Sequence, residues 1–164
     1  MTEALVRVAS LLDKAALLTI NVELQALHFA ARPDQFKPVD PPRIERWLQE
    51  VLADPAATLW VAQLDGAVVG SALVTRLERA DGPFRPTRAW WYIDQVGVLA
   101  AHRRRGVARA LVTHVLDAAR AHGITQIELN SWAFNRDAHA AFGSLGFVPK
   151  FTRFELTRPL GQDR

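Results

Sequence analysis

The chain has 164 residues, no cysteine, 49% apolar and 23% charged residues, a formal net charge of +3 and a pI near 9.9. Such a length and composition suit one globular domain over residues 1–164, and the missing cysteines exclude disulfides, thiolate nucleophiles and cysteine-based zinc sites. No apolar leader opens the chain and no run approaches the roughly 18 apolar residues of a membrane span, so a cytoplasmic protein with no membrane partner is expected.

A short apolar segment, Leu5 to Val8, is followed by a helical pattern from about Asp13, a candidate cap, to Phe29. Pro33, Pro38, Pro41 and Pro42 then mark a loop, because each fixes φ and removes a donor. A second helix is expected over roughly Arg43 to Leu52, stopping before Asp54 and Pro55. Leu59–Leu64 and Ala67–Thr75 flank Asp65-Gly66, the signature of a tight antiparallel hairpin. The Pro-rich stretch Glu78–Arg88 leads to a strand over Ala89–Val98, a helix over Val107–Ala121, and a further strand over Thr125–Asn130. Strand, helix, strand in that order make a crossover unit with parallel strands. A last helix is expected from near Asn135 to Leu145, and Phe147–Leu156 is expected to add one or two strands. The sum is an α+β fold: a mixed, mostly antiparallel central sheet with one parallel pair, flanked by helices.

The chemistry concentrates in Val98–Ala108, VLAAHRRRGVA, where a strand gives way to a helix. Gly106 permits close backbone approach, and the free N–H groups and dipole of the following helix favour phosphate oxygens. Arg103, Arg104, Arg105 and Arg109 add positive charge. Basic residues are otherwise scattered and no aromatics interleave with them, which argues against a nucleic-acid surface. No group of His and carboxylates has metal-ligand spacing, so no metal is expected.

The segment RRRGVA, Arg103–Ala108, matches the Arg/Gln-x-x-Gly-x-Gly/Ala signature of the GNAT acetyltransferase superfamily, with Val98 at its strand-end position. Downstream, Asn135, Ala138, Phe142, Gly146 and Phe147 fit the same family's second pattern. The chain therefore resembles that family over about Leu59–Phe154. The resemblance implies a GNAT-like sheet whose two parallel strands splay apart, with acetyl-CoA in the gap. It implies backbone contacts to the pyrophosphate from Arg103, Arg104, Arg105, Gly106, Val107 and Ala108, and cofactor contacts from Val96, Val98, Asn135 and Phe142. Asn135 equally suits a helix N-cap. Val98 would offer its N–H to the thioester carbonyl, and Gly97 beside it suggests a bulge that frees such donors. Family members often pair, so a homodimer is compatible with the resemblance.

Acyl transfer to an amine needs a base, since an alkyl ammonium of pKa about 10.4 is almost wholly protonated at pH 7. Asp94 is the one acid in the central strand; lying four residues before Val98, it is expected on the same face, as a base or as a partner of substrate charge. Many family members carry a Tyr where this chain has Phe142, so the proton donor to the departing thiolate has no obvious holder. Tyr92, the only tyrosine, lies two residues before Asp94 and offers a hydroxyl. His28, Phe29 and Phe36 in LHFAARPDQF, a run resembling the acceptor loop of several members, are acceptor-site candidates. Without Cys or a GxSxG motif, direct attack of a small-molecule or peptide amine on acetyl-CoA in a ternary complex is expected. The alternative is a non-catalytic acetyl-CoA-binding sensor or assembly module.

Overall fold

A computed structural model describes residues 4–157. Its sheet has five strands in sequence order: β1 (Leu5–Val8), β2 (Ala57–Leu64), β3 (Ala67–Arg79), β4 (Arg88–Val98) and β5 (Ile127–Leu129). The first four pair antiparallel, and β4 pairs parallel with β5. The expected hairpin turns at Asp65 and Gly66, whose φ values of 51° and 82° give the left-handed pair that matches strand twist.

Helices cover both faces. On one, α1 (Lys14–Ala31) and α2 (Pro41–Ala53) bury Leu17 and Leu48 against Leu59, Val61 and Leu73. On the other, α3 (Val107–Ala121) buries Val107, Leu111, Val112 and Val115 against Ala62, Val74 and Ile93. The last helix, α4 (Arg136–Ser144), joins that second core through Phe142, with Leu145 packed beside it. Two glycines set the close approaches. A Cβ on Gly70 would come within 2.8 Å of Val107 Cγ1, and one on Gly97 within 2.8 Å of Ile20 Cγ2, so β3 admits the start of α3 and β4 admits α1. Among the described residues no helix is long and apolar enough to cross a membrane.

Asp13 precedes α1 as expected, but its side chain does not cap it. Its carboxylate instead takes two bonds from Arg7, at 2.8 and 2.7 Å, and closes a capping box with Ser10 on the short 3-10 turn Leu11–Asp13. The Arg7 bonds hold its pKa down to about 2, with the Ser10 donors adding to the effect and burial opposing it.

The expectation of one or two strands over Phe147–Leu156 is overturned: residues 147–157 form neither strand nor helix. β5 offers a ladder of only three residues, and Pro149 has no N–H to donate. The tail is tied down by side chains instead, Lys150 to Glu128 and Glu155 to Arg32.

Candidate functional site

β4 and β5 are paired only from Trp91 to Ile93 on β4, opposite Ile127 to Leu129. β4 then runs on to Val98, while the chain leaves β5 at Leu129. Leu99 N–H bonds the Val69 carbonyl at 3.0 Å, and Gly97 lies opposite Ser71. By the alternation of an antiparallel ladder, the N–H groups of Val96 and Val98 therefore point away from β3, into the gap where β5 has ended. The carbonyl of Val98 is taken by Arg103 Nε at 3.2 Å, which folds the basic loop back onto the strand end.

Beyond Val98 a short turn, Ala100–His102, is anchored by Glu23 of α1, whose carboxylate accepts from Ala100 N–H at 2.8 Å. Arg104 and Gly106 then both adopt left-handed backbone, with φ of 62° and 80°. For an arginine that conformation costs about 1–2 kcal/mol, and such strain gathers where a binding loop is held open. No backbone carbonyl among the described residues accepts from the N–H of Arg104, Arg105 or Gly106. The first N–H groups of α3, on Val107, Ala108 and Arg109, have no intrahelical partner either. A Cβ on Gly106 would meet nothing within 4 Å, so the hollow above these donors is open. The result is a nest of N–H groups and arginines at a helix N-terminus, in line with the unpaired donors of Val96 and Val98.

Asn135 caps α4, its side-chain oxygen accepting from Ala138 N–H at 3.3 Å. Phe142 packs against the α3 core, its ring 6.0 Å from that of Phe147.

The bulge in β4 is not at Gly97. The register with β3 shifts between Leu73, opposite Gln95, and Val74, opposite Ile93, so Asp94 is the extra residue. This also corrects the expected face of Asp94. Ile93, Val96 and Val98 all pack toward α3, and two residues intervene between Ile93 and Val96, so counting by twos does not carry Asp94 to the face of Val98. Asp94 instead accepts a 2.6 Å bond from Thr75 Oγ1, and Thr75 lies opposite Tyr92, on the side of the sheet facing α1 and α2. Gly97 keeps another role, the approach of Ile20.

Partial desolvation by its neighbours raises the Asp94 pKa from its ordinary value although the residue stays exposed, and the Thr75 hydroxyl opposes the shift. Burial likewise raises the Tyr92 phenol, and the negative charges of Asp94 and Glu128 push it further, against Arg153. Tyr92 therefore carries its proton at neutral pH.

Of the acceptor-site candidates, His28 and Phe36 meet, ring centroids 4.8 Å apart, whereas Phe29 takes no part in the aromatic cluster they form. Trp132 and Phe134, from the loop after β5, complete it: Trp132 lies 5.2 Å from Phe36, and Phe134 lies 6.0 Å from His28. Arg32 lies 5.5 Å from the centre of the Trp132 ring and bonds Asp34 and Glu155, tying loop and tail together. Two large aromatics in a short loop just past a crossover strand were the signal for Trp132 and Phe134. Also on the α1 and α2 side, a cavity of about 760 Å³ is lined by Asn21 and Gln25 of α1, Phe36 and Lys37 of the loop, Arg43 and Trp47 of α2, and Gln95 of β4.

Residues 22–147, well over half of the chain, match the Acetyltransferase (GNAT) family. The chain belongs to the GNAT acetyltransferase family. Human N-acetyltransferase 8 is 33% identical over 96 residues, covering 58% of this chain and 40% of that protein. N-acetylaspartate synthetase of Rattus norvegicus is 32% identical over 99 residues, 60% of this chain and 30% of its own. The chain thus spans less than half the length of these curated relatives. The uncharacterized N-acetyltransferase YjgM of Escherichia coli is 24% identical, over 84% of this chain and 78% of its own. Among solved structures, a tetramutant of the BH1408 protein from Bacillus halodurans superposes with a TM-score of 0.85 at 21% identity, covering 94% of this chain and 99% of that one. Aminoglycoside 6'-N-acetyltransferase AAC(6')-IG from Acinetobacter haemolyticus does so at 0.70 and 18%, covering 95% and 99%. These two likenesses establish a shared GNAT fold.

Proposed function

We propose that this GNAT protein is an acetyl-CoA-dependent N-acetyltransferase that acetylates a primary amine of a small molecule or peptide by direct attack in a ternary complex. The observation that carries the reading is the splayed end of β4, where the unpaired N–H groups of Val96 and Val98 lead into the nest at Arg103–Ala108. That donor set fits a chain of amides ending in a pyrophosphate. When bound, acetyl-CoA supplies an activated acetyl thioester.

In this reading the nest and its arginines hold the pyrophosphate, the Val96 N–H orients the pantetheine, and the Val98 N–H faces the thioester carbonyl where negative charge gathers. Asn135, its side chain engaged as a cap, holds the α4 start in place, while Phe142 offers an apolar wall beside the thiol. Asp94 and Tyr92 stand on the α1 and α2 side. The raised pKa of Asp94 lessens the uphill step of taking a proton from an ammonium, directly or through water. The protonated Tyr92 offers the proton that the departing thiolate needs. His28 and Phe36 belong to the acceptor wall, and Phe29 follows His28 on α1.

The test is release of free thiol from acetyl-CoA against a broad amine panel, with coenzyme A binding measured alongside. Amine-dependent thiol release that falls in Asp94→Asn is the expected result. Tight coenzyme A binding with no transfer to any amine would replace this reading with that of a sensor or assembly module, and no coenzyme A binding would remove both.

A further inference from the structure

The cavity between α1, α2 and the loop joining them has a charge pattern that selects among amines. Its walls are apolar where Phe36, Ile44 and Trp47 line it. At its rim stand Lys37 and Arg43, neither of which has an acidic side-chain partner among the described residues. The one carboxylate in the lining, Asp40, is engaged as the N-cap of α2, accepting from Arg43 N–H at 3.2 Å. Deeper in, Asn21 is only 4% exposed. Its Nδ2 donates to the Leu17 carbonyl at 2.8 Å, while no described residue donates to its Oδ1, so this amide oxygen is left for a ligand N–H. Among the described residues lining this cavity, two free cations thus outnumber one occupied carboxylate, a poor fit for polycationic acceptors.

Resting on the acetyltransferase reading above, we infer that the acceptor is an amine that also carries a carboxylate, of the amino-acid type. The carboxylate seats at Lys37 and Arg43, an N–H of the acceptor meets Asn21 Oδ1, and the apolar part lies along Phe36 and Trp47. Asp94 does not itself line the cavity but is one residue before the cavity-lining Gln95, and the amine end is placed toward it. The two ends of a zwitterion then each meet the opposite charge.

Matched pairs test this: L-phenylalanine against 2-phenylethylamine, L-leucine against 3-methylbutylamine, with spermidine and kanamycin as polycations, all read by thiol release at fixed acetyl-CoA. The carboxylate member of each pair is expected to lead in kcat/KM by about tenfold, the effect of one partly screened ion pair. The double variant Lys37→Glu/Arg43→Glu should erase that lead through KM, whereas Arg46→Glu, on α2 but outside the cavity lining, should keep it. Both cations are exposed, so the fold should survive; Lys37→Gln/Arg43→Gln gives the same comparison without charge reversal. Preference for the decarboxylated or polycationic amines, or a lead that survives the double variant, overturns the inference. Should no amine be acetylated, the acetyltransferase reading fails by itself, and calorimetric binding of N-acetyl-L-phenylalanine to the coenzyme A-loaded protein judges the cavity. Saturable binding lost in the double variant upholds the carboxylate seat, and no binding refutes it.

Discussion

Gly106→Ala separates a binding role for the basic loop from a purely structural one. Gly106 sits at φ +80° with nothing within 4 Å of an added Cβ, so the substitution creates no clash within the protein. The fold should lose only the left-handed penalty of an L-residue, about 1 kcal/mol, or about 2–4 °C in Tm for a chain of this size. Binding should suffer far more, because the new methyl projects into the hollow that a pyrophosphate would fill. Loss of two charge-assisted N–H bonds at about 1.5 kcal/mol each amounts to about 3 kcal/mol, roughly a hundredfold in Kd. Gly123 provides a matched control. It also has positive φ, +69°, and open space around its Cβ, but it lies at the far end of α3. Calorimetry with coenzyme A on Gly106→Ala and Gly123→Ala should therefore give similar melting shifts and widely different affinities. Equal affinities, in either direction, would refute the assignment of the nest to phosphate.

Asp94→Asn should lower kcat/KM, with part of the loss recovered at high pH. In the parent, activity should rise with pH through a midpoint displaced upward from that of an ordinary aspartate, and Thr75→Val, which removes the bond that favours the charged form, should move that midpoint higher still. The stability of the same position runs the other way. A carboxyl whose folded pKa is raised binds its proton more tightly in the native state, so stability falls as pH rises from the unfolded value through the raised one, and Asp94→Asn should melt no lower than the parent at pH 7. Asp13 has the opposite sign. Its folded pKa of about 2 lies below the unfolded value, so the Arg7 pair stabilises the protein above about pH 4 and is lost as pH falls toward 2. Asp13→Asn should cost about 1–2 kcal/mol in chemical denaturation at pH 7, allowing for solvent screening of the part-exposed Arg7, and the difference should shrink in acid. Gly97→Ala should destabilise by about 1–3 kcal/mol, since its Cβ would stand 2.8 Å from Ile20 Cγ2 in a packed helix-to-sheet contact.

Local chemistry made much of this molecule legible in its sequence. The Asp65-Gly66 turn, the α3 limits at Val107 and Ala121, and the parallel placement of β5 follow from turn residues, helical period and crossover topology, each a short-range or near-universal rule. The nest was visible for the same reason, because Gly106 and the arginines are contiguous. What escaped were features set by partners distant in sequence. The bulge at Asp94 arises from the β3 register, not from Gly97, whose missing side chain answers to Ile20 on α1. The tail resembles strands by composition, but only a three-residue edge faces it. Asn21 and Gln95 reach one cavity from α1 and β4, and Trp132 and Phe134 reach the His28 and Phe36 rings from the loop after β5, so each meeting depends on segments distant in sequence.

The single inserted residue in β4 has a consequence for how this architecture tolerates change. With Asp94 present, the strand presents its carboxyl on the α1 and α2 side of the sheet while its later amides open sideways into the gap beyond the end of β5. Shortening the strand by that one residue would restore an uninterrupted ladder with β3 and leave Ile93, Val96 and Val98 on their present face, removing only the Asp94 carboxyl. The inserted residue thus adds a carboxyl to the strand without turning any core contact, so its identity matters more than the length it contributes.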